Sequence, residues 1–142
     1  MDIHHDFWID AGPSQVFRAL VTSDGLDAWW TRRSTGIPRL GSVYELWFGE
    51  GHDWRGEVTR FEPDRVIEWT LKKAADDWMG TRVSFALEPA TQGTTVSFVH
   101  AGWREASRHY RISCYCWAMY LRLLKRFVQH GERIPYDKRL EA

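Results

Sequence analysis

Histidine is the side chain that most readily moves a proton near neutral pH, and His100 is placed where that would matter. It shares the parity of Val96 and Phe98 in an alternating run, opposite Thr95, Ser97 and Val99, so its imidazole faces the buried side of a strand. A neutral ring there can orient a ligand or act as acid and base; the plainer expectation is a core histidine bonded to backbone. The spacing assigns it no carboxylate partner. His52-Asp53 with Glu57 offers metal-type donor atoms, but adjacent ligands in a glycine-rich turn match no metal-site spacing, and neither a metal nor a cofactor is expected. No Gly-x-Ser-x-Gly presents a nucleophile, and Gly49-x-Gly51 joins two strands without the glycine and lysine of a phosphate loop. Cys114 and Cys116 lie two apart in a helical pattern, about 200° around the axis, which predicts two reduced thiols.

The sequence is richer in rings than in reactive groups. Nine Trp, five Tyr and seven Phe make 15% of the chain aromatic, and such side chains either fill a core or line a ligand cavity. The inward parities select a candidate lining: Tyr44, Leu46 and Phe48 from one strand, Trp54, Trp69, Phe85, Phe98 and His100 from the strands after it, Trp117 and Leu121 from the last helix. Trp30 joins them at the mouth. Adjacent residues on a helix point 100° apart, so one flat surface cannot bury both Trp29 and Trp30 equally. Tyr44 and His100 would supply the orienting hydrogen bonds.

Positioning these residues requires a sheet and a cover. His4 to Ile9 reads as a strand; Ala11-Gly12-Pro13-Ser14 then leads into a short helix carrying Val16, Phe17, Ala19 and Leu20. Leu26 to Trp30 reads as a second short helix, followed by a loop with Gly36, Pro38 and Gly41. From Ser42 to Ala101 the signal is alternation, five antiparallel strands with turns at 49–53, 62–64, 74–77 and 89–93. Ala74 to Asp77 and the tail from 131 to 142 read as solvated. Arg108 to His130 carries Tyr110, Cys114, Trp117, Leu121, Leu124 and Val128 at intervals of three and four, a long amphipathic helix ending at Gly131. The expectation is one α+β domain over 1–142, ordered β-α-α-β-β-β-β-β-α, with a curved antiparallel six-stranded sheet wrapped around the C-terminal helix. A curved sheet cannot touch one straight helix everywhere, so an apolar gap is expected between them.

Composition removes other classes. Nineteen basic and nineteen acidic residues give a net charge of zero, against nucleic-acid binding through excess charge. The halves differ, net −5 over 1–71 and net +5 over 72–142, which reads as solvated faces with a basic last helix. Ile112 to Leu121 is half the length of a membrane span, and the N-terminus lacks a secretory pattern, so a cytoplasmic location is expected.

The ordered run Pro13-Ser14-Gln15-Val16-Phe17-Arg18-Ala19-Leu20, Leu26-Asp27-Ala28-Trp29-Trp30-Thr31, Gly56-Glu57-Val58, Pro63-Asp64-Arg65-Val66, Glu68-Trp69, Gly93-Thr94-Thr95-Val96, His100-Ala101-Gly102-Trp103 and Tyr120 to Lys125 resembles the SRPBCC superfamily. These are START-like helix-grip proteins, and the chain is most similar to the AHSA-type branch named for the activator of a heat-shock-protein ATPase. Relatives often carry Gly where this chain has Cys116, which adds volume beside Trp117. The resemblance implies the helix-grip fold and several functions: binding a small hydrophobic or aromatic ligand between sheet and helix, a polyketide cyclase or dehydrase activity using His100, or a co-chaperone-like interaction. The partners expected are accordingly a small hydrophobic molecule, a second copy of the chain, or a chaperone.

Overall fold

The computed structural model describes residues 1–141. Its elements are β1 (Ile3–Ile9), α1 (Pro13–Val21), α2 (Ser23–Trp29), β2 (Arg33–Thr35), β3 (Val43–Trp47), β4 (Asp53–Glu62), β5 (Val66–Lys73), β6 (Arg82–Pro89), β7 (Thr94–Ala101) and α3 (Arg108–His130), with 3₁₀ turns at Asp76–Trp78 and Tyr136–Glu141. All strands pair antiparallel in one sheet, in the order β1-β7-β6-β5-β4-β3-β2. The α+β helix-grip class is as expected; the strand count is seven, not six. The extra strand, β2, is three residues long and pairs Arg33 with Trp47. Three residues are too few for alternation to register, so the segment reads as loop.

Local chemistry sets the helix ends. Pro13 opens α1, where its missing N–H costs nothing. The Thr22 hydroxyl accepts from Gly25 N at 3.1 Å and starts α2. Ser107 caps α3 by accepting from Tyr110 N at 3.1 Å, and Gly131, at φ 66°, ends it in the left-handed region. The 23 residues of α3 extend about 35 Å, long enough to cross several strands.

The inward parity of the strands builds the core with Trp117, Leu121, Leu124 and Val128 of α3. Register shifts between Arg55 and Gly56 and between Val58 and Arg60 bend β4. At Gly56 a β-carbon would sit 3.2 Å from Trp69 Cβ, and at Gly36 one would sit 2.3 Å from the Tyr44 ring, so both glycines let backbone lie against a buried ring.

Most of the described tail is exposed, as expected, and Arg139 is the exception. Arg139 is buried and donates to Asp27 O at 2.7 Å, Trp30 O at 3.0 Å, Thr31 O at 3.3 Å and Ile134 O at 3.0 Å, strapping the chain after α3 to the end of α2. The Arg32–Asp137 pair at 2.7 Å and the Arg133–Asp24 pair at 2.8 Å hold the same strap from outside. Burial lowers the Arg139 pKa, and the three carbonyls at the end of α2 supply the acceptors it needs.

Candidate functional site

The expected lining residues come together, as one continuous set of packed rings. Trp117 is the centre: its ring centroid lies 4.5 Å from Phe98, 5.3 Å from Trp30 and 5.8 Å from Trp78. Trp30 continues to Phe48 at 5.4 Å and Trp69 at 6.4 Å; Trp69 meets Tyr44 at 5.5 Å, and Phe85 meets Phe98 at 5.1 Å. Leu46 is fully buried among them, while Phe48 and Trp54 are half-buried, 5.0 Å apart. Trp29 and Trp30 are both buried. They stack on each other at 5.9 Å, and α2 ends between them, so each is covered by different neighbours and no single flat surface is involved.

His100 is bonded to side chains rather than backbone. Trp117 Nε1 can only donate, so His100 Nδ1 accepts from it at 3.1 Å and the ring proton sits on Nε2. Nε2 then donates to Thr81 Oγ1 at 2.8 Å, and that hydroxyl donates to Trp78 O at 2.6 Å. Burial holds the imidazole pKa down at about 3; His109 acts in the same direction and Asp2 opposes it. His100 is a neutral, fully bonded link with no nitrogen free for substrate. The Tyr44 hydroxyl is likewise occupied, donating to Val21 O at 2.7 Å, and burial raises its pKa.

The buried indole N–H groups are not all satisfied. Trp29 Nε1 donates to Ala19 O at 3.0 Å and Trp78 Nε1 to Ser113 Oγ at 3.3 Å. Trp69 Nε1 and Trp103 Nε1 are buried without a hydrogen-bond acceptor among the described residues. Trp78 and Trp103 belong to the ring cluster, packing against His100 at 4.4 and 4.8 Å, and sequence reasoning missed both. Trp78 lies directly after Asp76-Asp77, in a turn read as solvated; a tryptophan in so polar a stretch was the available signal.

Of the strands, β1 at the sheet edge is the one that α3 approaches. There His5, Phe7, Ala118, Met119 and Leu121 line an open cleft of about 640 Å³, rimmed by Arg122, Lys125, Arg126, Gln129 and Asp6. Leu121 is the one expected lining residue found in it. His5 stacks on Phe98 at 6.0 Å, so the cleft floor rests on the ring cluster. A smaller hollow of about 250 Å³ on the opposite edge is lined by Arg33, Ser34, Thr35, Glu45, Trp47 and Asp53. Among the described residues no three His, Cys, Asp or Glu side chains are grouped to hold a metal, and no helix is long and apolar enough to cross a membrane. Both cysteines are free.

Residues 10–129 match the family described as activator of Hsp90 ATPase homolog 1-like protein. Comparison with curated proteins finds no match. Among solved structures, the Aha1 dimer from Colwellia psychrerythraea is 32% identical, with a TM-score of 0.84 over 93% of this chain and 98% of that one. A protein from Staphylococcus saprophyticus is 21% identical, with a TM-score of 0.80 over 94% of this chain and 96% of that one. CalU16 from Micromonospora echinospora is 22% identical, with a TM-score of 0.71 over 99% of this chain and 83% of that one. The last two establish likeness of fold.

Proposed function

The chain belongs to the activator of Hsp90 ATPase homolog 1-like family, and from that membership we propose that it binds a small, largely apolar molecule between its sheet and its last helix, in the cleft at the β1 edge. The observation that carries this reading is the volume of that cleft, about 640 Å³, within the range of small-molecule sites. Its apolar wall is made by Phe7, Ala118, Met119 and Leu121, and the packed rings beneath give it a stiff floor. Trp8 stands beside it with Lys125 Nζ 5.4 Å from the ring centroid, so an occupied cleft changes the surroundings of a half-exposed fluorophore.

Titration with N-phenyl-1-naphthylamine, read by quenching of tryptophan emission, tests the reading. Saturable quenching that Ala118→Trp abolishes, in a variant that still unfolds cooperatively, is the expected result; no quenching, or quenching indifferent to Ala118→Trp, overturns it. The cyclase-like alternative has less support, because His100 would have to break a bond to Trp117 or Thr81 before it could move a substrate proton.

A second reading is self-association. A relative with 32% identity is described as a dimer, and α3 exposes Ile112 and Tyr115 one turn apart, Tyr115 at 81% of its surface. Light scattering on the wild type and on Tyr115→Glu would give twice the chain mass for the first and the single-chain mass for the second.

A further inference from the structure

The cleft has a charged rim as well as an apolar wall. Arg122 and Lys125 stand three residues apart on α3, and Arg126 four residues from Arg122, so all three project along one side of the helix. Arg126 is matched by Glu132, whose carboxylate it meets at 3.0 Å through Nε. Arg122 and Lys125 form no ion pair among the described residues. Lys125 is held over the Trp8 ring, a contact that keeps its ammonium at the cleft without neutralising it. Among the described residues the one carboxylate lining the cleft is Asp6, and Gln129 Oε1 is already used, accepting from Asp10 N at 2.7 Å. Two unmatched cations therefore overlook a wall of Phe7, Ala118, Met119 and Leu121.

We propose that the ligand of this cleft is an acidic amphiphile, a small molecule with an apolar body and a carboxylate or sulfonate-type anionic group that Arg122 and Lys125 receive. The inference rests on the ligand-binding reading above and adds the class of ligand. The guanidinium of Arg122 presents paired donors to a planar or tetrahedral acid group, and Lys125 adds a second positive charge one turn away. A neutral molecule of the same shape gains the apolar wall and loses both.

Two naphthalene probes separate the terms: 1-anilinonaphthalene-8-sulfonate carries the acid group, and N-phenyl-1-naphthylamine has the same rings without it. Dissociation constants are read by calorimetry on the folded protein at low and high salt. The sulfonate is expected to bind at least about tenfold more tightly than the neutral probe, and to weaken by about tenfold or more in Arg122→Gln/Lys125→Gln and in high salt, while the neutral probe is unaffected by either. Equal affinities for the two probes, or a sulfonate affinity indifferent to the double substitution, overturn the acidic-ligand proposal while leaving apolar binding in place. Failure of both probes to bind wild type, or to respond to Ala118→Trp, overturns the underlying reading as well.

Discussion

His100 gives the clearest quantitative expectation, because its two nitrogens are bonded in a way that only the neutral ring satisfies. Protonating Nδ1 would set two donors, the ring and Trp117 Nε1, against each other inside the core. The folded pKa of about 3 lies below the ordinary 6.5, so the unfolded chain takes up this proton first. Stability is therefore fully present above about pH 6.5 and is lost as pH falls towards about 3. Between pH 7 and pH 5 the unfolded ring becomes almost fully protonated while the folded ring stays neutral, which removes about 2 kcal/mol. At a urea dependence of about 2 kcal/mol per M, the midpoint moves down by about 1 M. His100→Gln keeps a polar group but removes the titration. It should cost about 1–3 kcal/mol at pH 7, where Trp117 loses its acceptor geometry, and its stability should fall by about 2 kcal/mol less than wild type between pH 7 and pH 5. Urea unfolding followed by tryptophan emission at both pH values is the assay. Parallel pH profiles for wild type and His100→Gln would refute the bonding scheme.

Three other substitutions test the packing. Trp29 and Trp69 are both fully buried, but only Trp29 has an acceptor for its N–H; Trp29→Phe should therefore cost about 1–2 kcal/mol more than Trp69→Phe by denaturation, and equal costs would contradict the assigned bonds. Trp69→Ala should cost about 3–5 kcal/mol, and a loss below about 1 kcal/mol would mean that the ring is not part of the core. Arg139→Ala strips the end of α2 of a charged donor and should cost about 2–4 kcal/mol in urea unfolding, with early protection loss around Trp30 and Thr31 by hydrogen exchange; an unchanged midpoint would mean the strap is incidental.

Much of the architecture was legible because parity in strands and three-to-four spacing in helices report burial directly. Tyr44, Leu46, Trp69, Phe85, Phe98, His100, Trp117 and Leu121 are all buried where their periodicities placed them. Parity states which way a side chain faces and not how far the facing layer is, so the same residues read equally well as wall or as filling. Curvature decides between the two, and it depends on the β4 bulges and on where α3 crosses the sheet. The cleft formed at β1, where His5 and Phe7 share the inward parity of Ile3 and Ile9 but lie only half-covered. Arg139 was illegible for a different reason: a polar tail carries no periodic signal, and its burial follows from three carbonyls at the end of α2 that are more than a hundred residues away.

The functional reading turns on uptake of a small apolar molecule in the cleft lined by β1 and α3. Amide chemical-shift mapping during titration with 1-anilinonaphthalene-8-sulfonate tests it most directly. Saturable shifts concentrated at 5–7 and 118–129 are expected, with residues of the 33–35 and 45–53 segments unmoved. Shifts confined to that opposite edge, or none at saturating probe, would contradict it.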